Sequence, residues 1–358
     1  IASDPSVMGA EDANPIQSVK EADVLTFGGT GGRSRRSMVK RTRQYLKEDL
    51  GIRSGDSVDN GDVGITAYAS ADPIIANLDG FMANTPKEEL VVNQLISNCV
   101  QLAPGSLFDD GKRTNFVGIQ HGSGMAALGY SVTPLRTGAE KMIAHKTRMS
   151  QAVVAEANGT VTDIAEDTIT VEYNGKPKYS KTYPLGKIYG KQGGLVFPHN
   201  VTTTLKKGSS FKGNDIVTFN SNYFEPDFFN PKQVNWKAGY LAKTVLQEGV
   251  DSWEDSAAIS KSVSDALTAP TTKVVHIRAQ FGQALHGLVK IGDKLSSDTI
   301  LCTIEDELTA SSDVFDAAAI ETLRHGAADY FVKTNKTVFA NVLSSIIKLM
   351  ELGRIAEN

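Results

Sequence analysis

Seven basic residues lie between Arg33 and Lys47: Arg33, Arg35, Arg36, Lys40, Arg41, Arg43 and Lys47. They directly follow the run Gly28-Gly29-Thr30-Gly31-Gly32. Arginine forks match phosphate oxygens bidentately, and glycine lets a loop adopt backbone angles closed to other residues. The combination points to a phosphate-contacting loop; the plainer reading is a solvated basic helix face. A second candidate is the adjacent pair Glu254-Asp255 after Trp253. Two carboxylates can bias a nearby Mg2+, directly or through water, because this ion prefers oxygen ligands and keeps several waters. Alone, such a pair is usually a solvated turn.

Other clusters fail on spacing. The glycines at Gly28 to Gly32 lead into Arg33-Ser34, whereas a P-loop needs four residues between its glycines and then Lys-Ser or Lys-Thr. Gly122-Ser123-Gly124 with Gly129 does not fit a dinucleotide fingerprint, and Glu140 stands sixteen residues on rather than about twenty. His121 and Met125 occupy the places where a nucleophile elbow around Ser123 needs glycine. The six histidines, His121, His145, His199, His276, His286 and His325, show no ligand-like pairing, so a structural zinc site is not expected.

The elements that must carry these residues follow from the pattern. The chain has 358 residues, 37 basic and 41 acidic, for a net charge of −4, which argues against a simple nucleic-acid-coating protein. A content of 41% hydrophobic and 22% charged residues is that of a globular protein able to bury a core. No run of 18 apolar residues exists, so no transmembrane helix is expected. Cys99 and Cys302 cannot form a disulfide framework, and a reducing, intracellular compartment fits. The Asn-x-Thr sites at Asn158, Asn200 and Asn335 read as chance in the absence of a signal peptide. The sequence opens on Ile1, which fits a processed product or part of a longer chain.

A helix is expected from the basic cluster through Tyr45 and Leu50. Short strands are expected from about Gln151 to Asn230: Ala152-Val153-Val154-Ala155, Val161-Thr162-Asp163-Ile164, Thr168-Ile169-Thr170-Val171 and Ile216-Val217-Thr218-Phe219, with hairpin turns at Asn158-Gly159 and Asn174-Gly175. Leu241 to Leu246 fits a strand or a buried helix. Ala269-Pro270-Thr271-Thr272 reads as a boundary, followed by strands at Val274-Val275-His276-Ile277 and Thr299-Ile300-Leu301-Cys302. Val338, Val342, Ile346 and Met350 repeat at helical spacing near the C-terminus.

Seven segments together carry more than any one. Asn14-Pro15-Ile16 through Arg33 resembles the "NPLSE…LSALGPGGLTRER" stretch of the β (second-largest) subunit of multisubunit DNA-directed RNA polymerases. Gly61-Asp62-Val63-Gly64-Ile65 stands where that family has "GPNIGLI", and Asp109-Asp110-Gly111-Lys112-Arg113 resembles "DDANR". Gly118 through Ala126 follows in the place of "GANMQRQAV", and Pro134 through Glu140 resembles "PLVGTGME". Asp251 through Ser260 resembles the "GYNFEDAI-IS" segment, and Gly287 through Lys294 the "GIVRIG" segment that opens the flap. The order is collinear from Asn14 to about Ile304, which corresponds to the middle part of a cellular β subunit.

The resemblance implies roles position by position. Arg33, Arg35 and Arg36 would belong to the fork loop beside downstream DNA. Arg113 would meet the triphosphate of the incoming nucleotide. Glu254 and Asp255 would sit near the second Mg2+, with water between where needed. Gln120, with His121 beside it, would line the RNA–DNA hybrid, although Ser123 and Gly124 replace the family's Arg-Gln pair there. The catalytic aspartate triplet and the C-terminal lysine motifs have no counterpart, so two Mg2+ ions would be held principally by a β′-like partner. Another chain would supply the rest of the β subunit.

The fold this implies is α+β and β-rich. A partial active-site β-barrel completed by another chain would be joined to a hairpin module and a flap-like domain. The divisions would be 1–150 (fork-loop and hybrid-lining region), 151–268 (hairpin and partial barrel) and 269–358 (flap-like domain with a C-terminal helix). DNA template, RNA transcript and nucleoside triphosphates would be bound, and no membrane. Split subunits of this kind resemble those of giant bacteriophages, which would place the chain in the host bacterial cytoplasm or in a virion-packaged enzyme. From other classes, the alternatives are a non-catalytic structural or nucleic-acid-binding virion protein and a small-molecule enzyme built on the glycine clusters. Glu21, Val24 and Thr26 stand where the bacterial rifamycin pocket has His, Arg and Ser. The assembled enzyme should therefore transcribe at rifampicin levels that stop a bacterial polymerase; inhibition at those levels in a run-off assay would refute this.

Overall fold

An Asn-Pro pair ahead of Ile16 and Val19 is a helix start by residue type, because asparagine caps and proline suits the first turn. The computed structural model describes residues 9–28, 32, 34–75, 77, 89–193, 195–249, 253–272, 277–280 and 283–306. It places helix α1 at Pro15–Asp23, with Asn14 accepting hydrogen bonds from the Ile16 and Gln17 amides at 2.7 and 3.3 Å. The same side chain donates through Nδ2 to the carbonyls of His121 and Gly124, at the end of helix α2 (Gly111–Ser123). The helices can meet closely because α2 carries glycines on the shared face. A Cβ at Gly122 would lie 2.9 Å from Gln17 Oε1, and one at Gly118 would lie 3.1 Å from the Cys99 Cβ.

After α1 the chain forms β1 (Val24–Thr26), paired antiparallel with β2 (Thr66–Tyr68). Helix α3 (Glu140–Lys146) buries Ile143 and Ala144, and its first-turn Glu140 accepts from the Thr137 and Gly138 amides at 3.1 and 2.8 Å. The fold is mixed α+β and mostly sheet. One four-stranded antiparallel sheet has the order β3 (Ala152–Val154), β10 (Ile216–Asn220), β8 (Leu195–Thr202), β7 (Gly186–Gln192). The other has β6 (Tyr179–Pro184), β5 (Thr168–Tyr173), β4 (Gly159–Ile164), β9 (Ser210–Phe211). A short hairpin joins β11 (Phe224–Pro226) and β12 (Val234–Trp236).

Strand β10 is buried along its whole length, so both its faces are covered. On one side Ile216 and Phe219 join Ile16, Val19, Ile143 and Trp236 in a core shared with the helices. On the other, Val217 joins Val161, Ile169, Val171 and Tyr173 of the second sheet. The first sheet is thus a middle layer between helices and a second sheet, and residues before and after position 150 share its core. The chain divides into two compact units, Ile1–Val274 and Val275–Asn358. Within the second, β13 (Gln283–His286) pairs antiparallel with β14 (Thr303–Asp306). No helix among the described residues is long and apolar enough to cross a membrane.

Several sequence expectations need correction. Asn174-Gly175 does join two paired strands, β5 and β6, but Asn158-Gly159 does not join β3 to β4. Strand β3 pairs with β10 instead, and Gly159 is the first residue of β4, where a Cβ would meet the Glu172 carbonyl and the Phe211 ring. The glycine serves close strand approach rather than a turn. The basic segment forms separate 3-10 turns at Arg35–Ser37, Lys40–Arg43 and Lys47–Asp49, not a helix, because Arg43 is drawn to the backbone carbonyls of Met38, Gly61 and Val63. Leu241 to Leu246 is neither strand nor buried helix; Leu246 is 97% exposed. The strand after Thr299 begins at Thr303, where pairing with β13 begins. Of the strand expected over Val274 to Ile277 only Ile277 is described, and it is not in a strand; the helix around Val338, Val342, Ile346 and Met350 lies outside the described residues.

A buried polar network ties the chain's start to the middle sheet. His199 donates from Nε2 to the Asp12 carbonyl at 2.6 Å and accepts at Nδ1 from Asn220 Nδ2 at 2.9 Å. Gln151 joins both, donating to the Asp12 carbonyl and accepting from Asn220. Gly190 leaves the space: a Cβ there would collide with the Asp12 carbonyl and His199 Nε2. Burial lowers the His199 pKa, against the opposing pull of Asp12. The native state then binds this proton more weakly than the unfolded chain. The associated stability is present above the unfolded value of about 6.5 and is lost as pH falls from there through the lower folded value. Burial acts in the same direction on His121. His199→Gln should cost about 1–3 kcal/mol at neutral pH by orphaning buried partners. It should also reduce the loss of melting temperature on acidification; an unchanged pH slope by calorimetry would remove His199 as its source.

Candidate nucleic-acid interface

The basic turns sit against the segment that follows them in the chain. Arg35 makes a bidentate pair with Asp62, Nε to Oδ1 at 2.7 Å and Nη2 to Oδ2 at 2.6 Å. Arg43 donates to four carbonyls: Met38 at 3.1 Å, Gly61 at 2.7 Å, Val63 at 3.2 Å and Arg35 at 2.9 Å. One guanidinium therefore stitches two stretches of chain that have no ladder of their own. At Gly32 a Cβ would meet the Gly28 carbonyl, so these two glycines approach closely. An open cleft of about 450 Å³ lies here, lined by Thr26, Gly28, Ser34, Arg35, Asp62 and Thr66 among others.

These bonds divide the basic cluster into two sets. Arg35 and Arg43 are committed to internal partners. Arg36, Lys40 and Arg41 are exposed and form no hydrogen bond or ion pair among the described residues. They are the cations free to meet an external anion. Arg33 lies outside the described residues.

Around Tyr68 of β2 lies a polar cluster that the sequence did not announce. Lys20 is buried, donates to Asn115 Oδ1 at 3.0 Å, and holds its ammonium 3.9 Å from the Tyr68 ring centroid. Burial lowers its pKa, opposed by the nearby Cys99, Asp56 and Asp23. Burial also raises the Asp56 pKa, although Ser54 and Ser97 both donate to its carboxylate. Asp23 is raised by burial too and accepts from Asn98 at 2.8 Å. Lys20 stands four residues after Ile16 and one after Val19, on the inward face of α1, and that spacing was the available signal.

The remaining candidates are dispersed. Asp110 caps α2 by accepting from the Arg113 amide at 2.8 Å. The Arg113 side chain is exposed and its guanidinium lies 6.0 Å from the Phe116 ring, beside a Lys112–Asp59 ion pair of 3.0 Å. Gln120 is exposed on the same helix. His121 turns inward: its ring is edge-on to Trp236 at 5.0 Å, and its buried Nδ1 has no hydrogen-bond partner among the described residues. Glu254 and Asp255 are exposed in the turn Trp253–Ser256, with Asp255 at φ +54°. Among the described residues no hydrogen bond or ion pair links either to Arg113, and no group of three or more His, Cys, Asp or Glu is gathered.

Comparison with known protein families and with curated proteins returns no match. The division of the arginines makes its own prediction. Arg43→Ala should destabilise the chain by roughly 1–3 kcal/mol, because charged hydrogen bonds to several carbonyls disappear together. Arg41→Ala should stay within about 0.5 kcal/mol of wild type, as expected of an exposed side chain without partners. Chemical denaturation measures both; equal effects would dissolve the distinction.

Proposed function

We propose that the chain is a β-like subunit of a multisubunit DNA-directed RNA polymerase, inactive alone, with the catalytic aspartates supplied by a β′-like partner. What carries the reading is the family's order of the seven segments. It is supported by the packing of widely separated segments on one another. Asn14 of the first reaches His121 and Gly124 of the fourth. Lys20 of the first reaches Asn115, which follows the third. Arg35 reaches Asp62 of the second.

In this reading the RNA 3′-hydroxyl attacks the α-phosphate and pyrophosphate leaves. Two Mg2+ ions held by the partner would stabilise attack and departure. The work of this chain is positioning and charge neutralisation. Arg36, Lys40 and Arg41 hold nucleic-acid backbone without reading sequence. Arg113 neutralises triphosphate charge from the exposed first turn of α2. Glu254 and Asp255 act at most through water toward an ion that others hold. The sheet edges of the first unit are the expected place for barrel completion by another chain, and β13–β14 is the hairpin of the flap-like part. The origin in a large bacteriophage, and hence a host-cytoplasmic or virion location, belongs to the same proposal.

The tagged full chain should co-purify with a chain carrying the aspartate triplet. In that complex Arg113→Ala should raise the nucleotide KM or lower kcat. Replacing Arg36, Lys40 and Arg41 together by alanine should weaken DNA binding and reduce its log–log salt slope by about 1 for each phosphate no longer neutralised. A chain that remains a monomer or only self-assembles would favour the virion-protein alternative, and wild-type kinetics for Arg113→Ala would remove its assigned role.

A further inference from the structure

Two aromatic rings stand in water on a turn that holds them firmly. Phe228 and Phe229 lie between β11 and β12, 89 and 85% exposed, with ring centroids 5.3 Å apart and planes nearly perpendicular. The buried Asp227 fixes their turn. Its Oδ1 accepts from the Phe229 and Asn230 amides, both at 2.9 Å. Its Oδ2 accepts from Asn235 Nδ2 at 2.9 Å and pairs with Lys141 Nζ of α3 at 2.8 Å. Two backbone bonds close the same turn, from the Asp227 amide to the Gln233 carbonyl and from the Gln233 amide to the Asn230 carbonyl, both at 2.8 Å. A turn clamped in this way gives up little further freedom when its rings are covered.

The stretch between β8 and β10 is pinned to the far arm of this turn. The Thr204 hydroxyl donates to the Pro231 carbonyl at 3.2 Å, Lys232 Nζ to the Ser210 carbonyl at 3.1 Å, and Gln233 Nε2 to the Asn214 carbonyl at 2.8 Å. It brings Lys206, Lys207 and Lys212, all exposed. The carboxylates of this region are consumed: Asp227 by Lys141, Asp215 by Lys232 at 3.4 Å and Asp163 by Lys207 at 2.7 Å. The ammonium groups of Lys206 and Lys212 form no hydrogen bond or ion pair among the described residues. The charge left over is positive, so the partner it complements is an anion. Two aromatic side chains bury about 300–500 Å², well below the roughly 800 Å² that a stable protein interface takes from each partner. An anionic lipid surface is recognised by roughly 4–8 clustered basic residues, more than the two left free here. Flat rings beside unpaired cations suit unstacked bases on a phosphate backbone. We propose that Phe228 and Phe229 are a stacking platform for the bases of single-stranded nucleic acid, with Lys206 and Lys212 meeting its phosphates. None of the seven segments behind the polymerase reading contains these four residues, so the site does not depend on that reading.

The test uses the full chain carrying Arg36→Ala, Lys40→Ala and Arg41→Ala, which removes binding at the basic turns. The probe is a short oligothymidylate with a single 2-aminopurine, whose fluorescence falls when the base stacks on a ring. The single strand should bind with quenching, and a duplex of the same sequence should bind roughly tenfold more weakly or worse, because its bases are already stacked. Phe228→Leu with Phe229→Leu should weaken binding roughly tenfold or more, whereas Phe228→Tyr with Phe229→Tyr, which keeps both π faces, should stay within about twofold. Both pairs should leave the melting temperature unchanged, because the rings are exposed. Lys206→Ala with Lys212→Ala should flatten the log–log salt slope by about 1.4, or about 0.7 for each phosphate of a single strand. Equal binding by the leucine and tyrosine pairs, equal binding of duplex and single strand, binding without quenching, or binding of anionic vesicles but of no oligonucleotide would each overturn the proposal. Co-purification with a chain carrying the aspartate triplet tests the polymerase reading separately.

Discussion

A single buried amide, that of Asn14, holds the helical layer together. Its oxygen ends the unmet demand of the first amides of α1, and its nitrogen satisfies carbonyls at the end of α2. No apolar side chain can serve two helix termini at once, because each end of a helix leaves backbone groups without internal partners. The direction in which α1 delivers the chain to β1, the glycine loop and the basic turns is fixed through this residue. On the opposite side of the helices, β10 performs the matching role, since it belongs to both cores.

The cationic character of the molecule is shaped by what its arginines touch rather than by how many there are. The net charge of −4 says nothing about a surface where some guanidinium groups are consumed by a carboxylate and by carbonyls. Arg35 and Arg43 act as fasteners, and Arg36, Lys40 and Arg41 are carried on the same short 3-10 turns. A helix over the same residues would have spread these charges around its circumference, since successive side chains lie about 100° apart.

Much of this was legible in the sequence where local chemistry decides the outcome. Ile216 to Phe219 announced a strand and Asn174-Gly175 a hairpin, and both form. Long-range partners were not legible. Nothing local told Arg43 that the carbonyls of Gly61 and Val63 would claim it, or told Gly159 that it would face Phe211 rather than make a turn. The inward turn of His121 toward Trp236 is of the same kind, because the two lie far apart in sequence and meet only once β12 packs near the helices. Leu241 to Leu246 failed differently: the apolar pattern points to a strand or a buried helix, but neither forms there and the side chains stand exposed.

Gly129 donates its amide to the Ala266 carbonyl and Ser131 donates to the Gly239 carbonyl, so the two ends of the stretch between Gly239 and Ala266 are held at one place. When the ends of a loop already meet, each doubling of its length costs only about 0.6 kcal/mol in closure entropy. A change in the length of this stretch therefore weighs little on the sheets and helices behind it, whereas the composition of the part that holds Glu254 and Asp255 answers to whatever those carboxylates meet outside the chain.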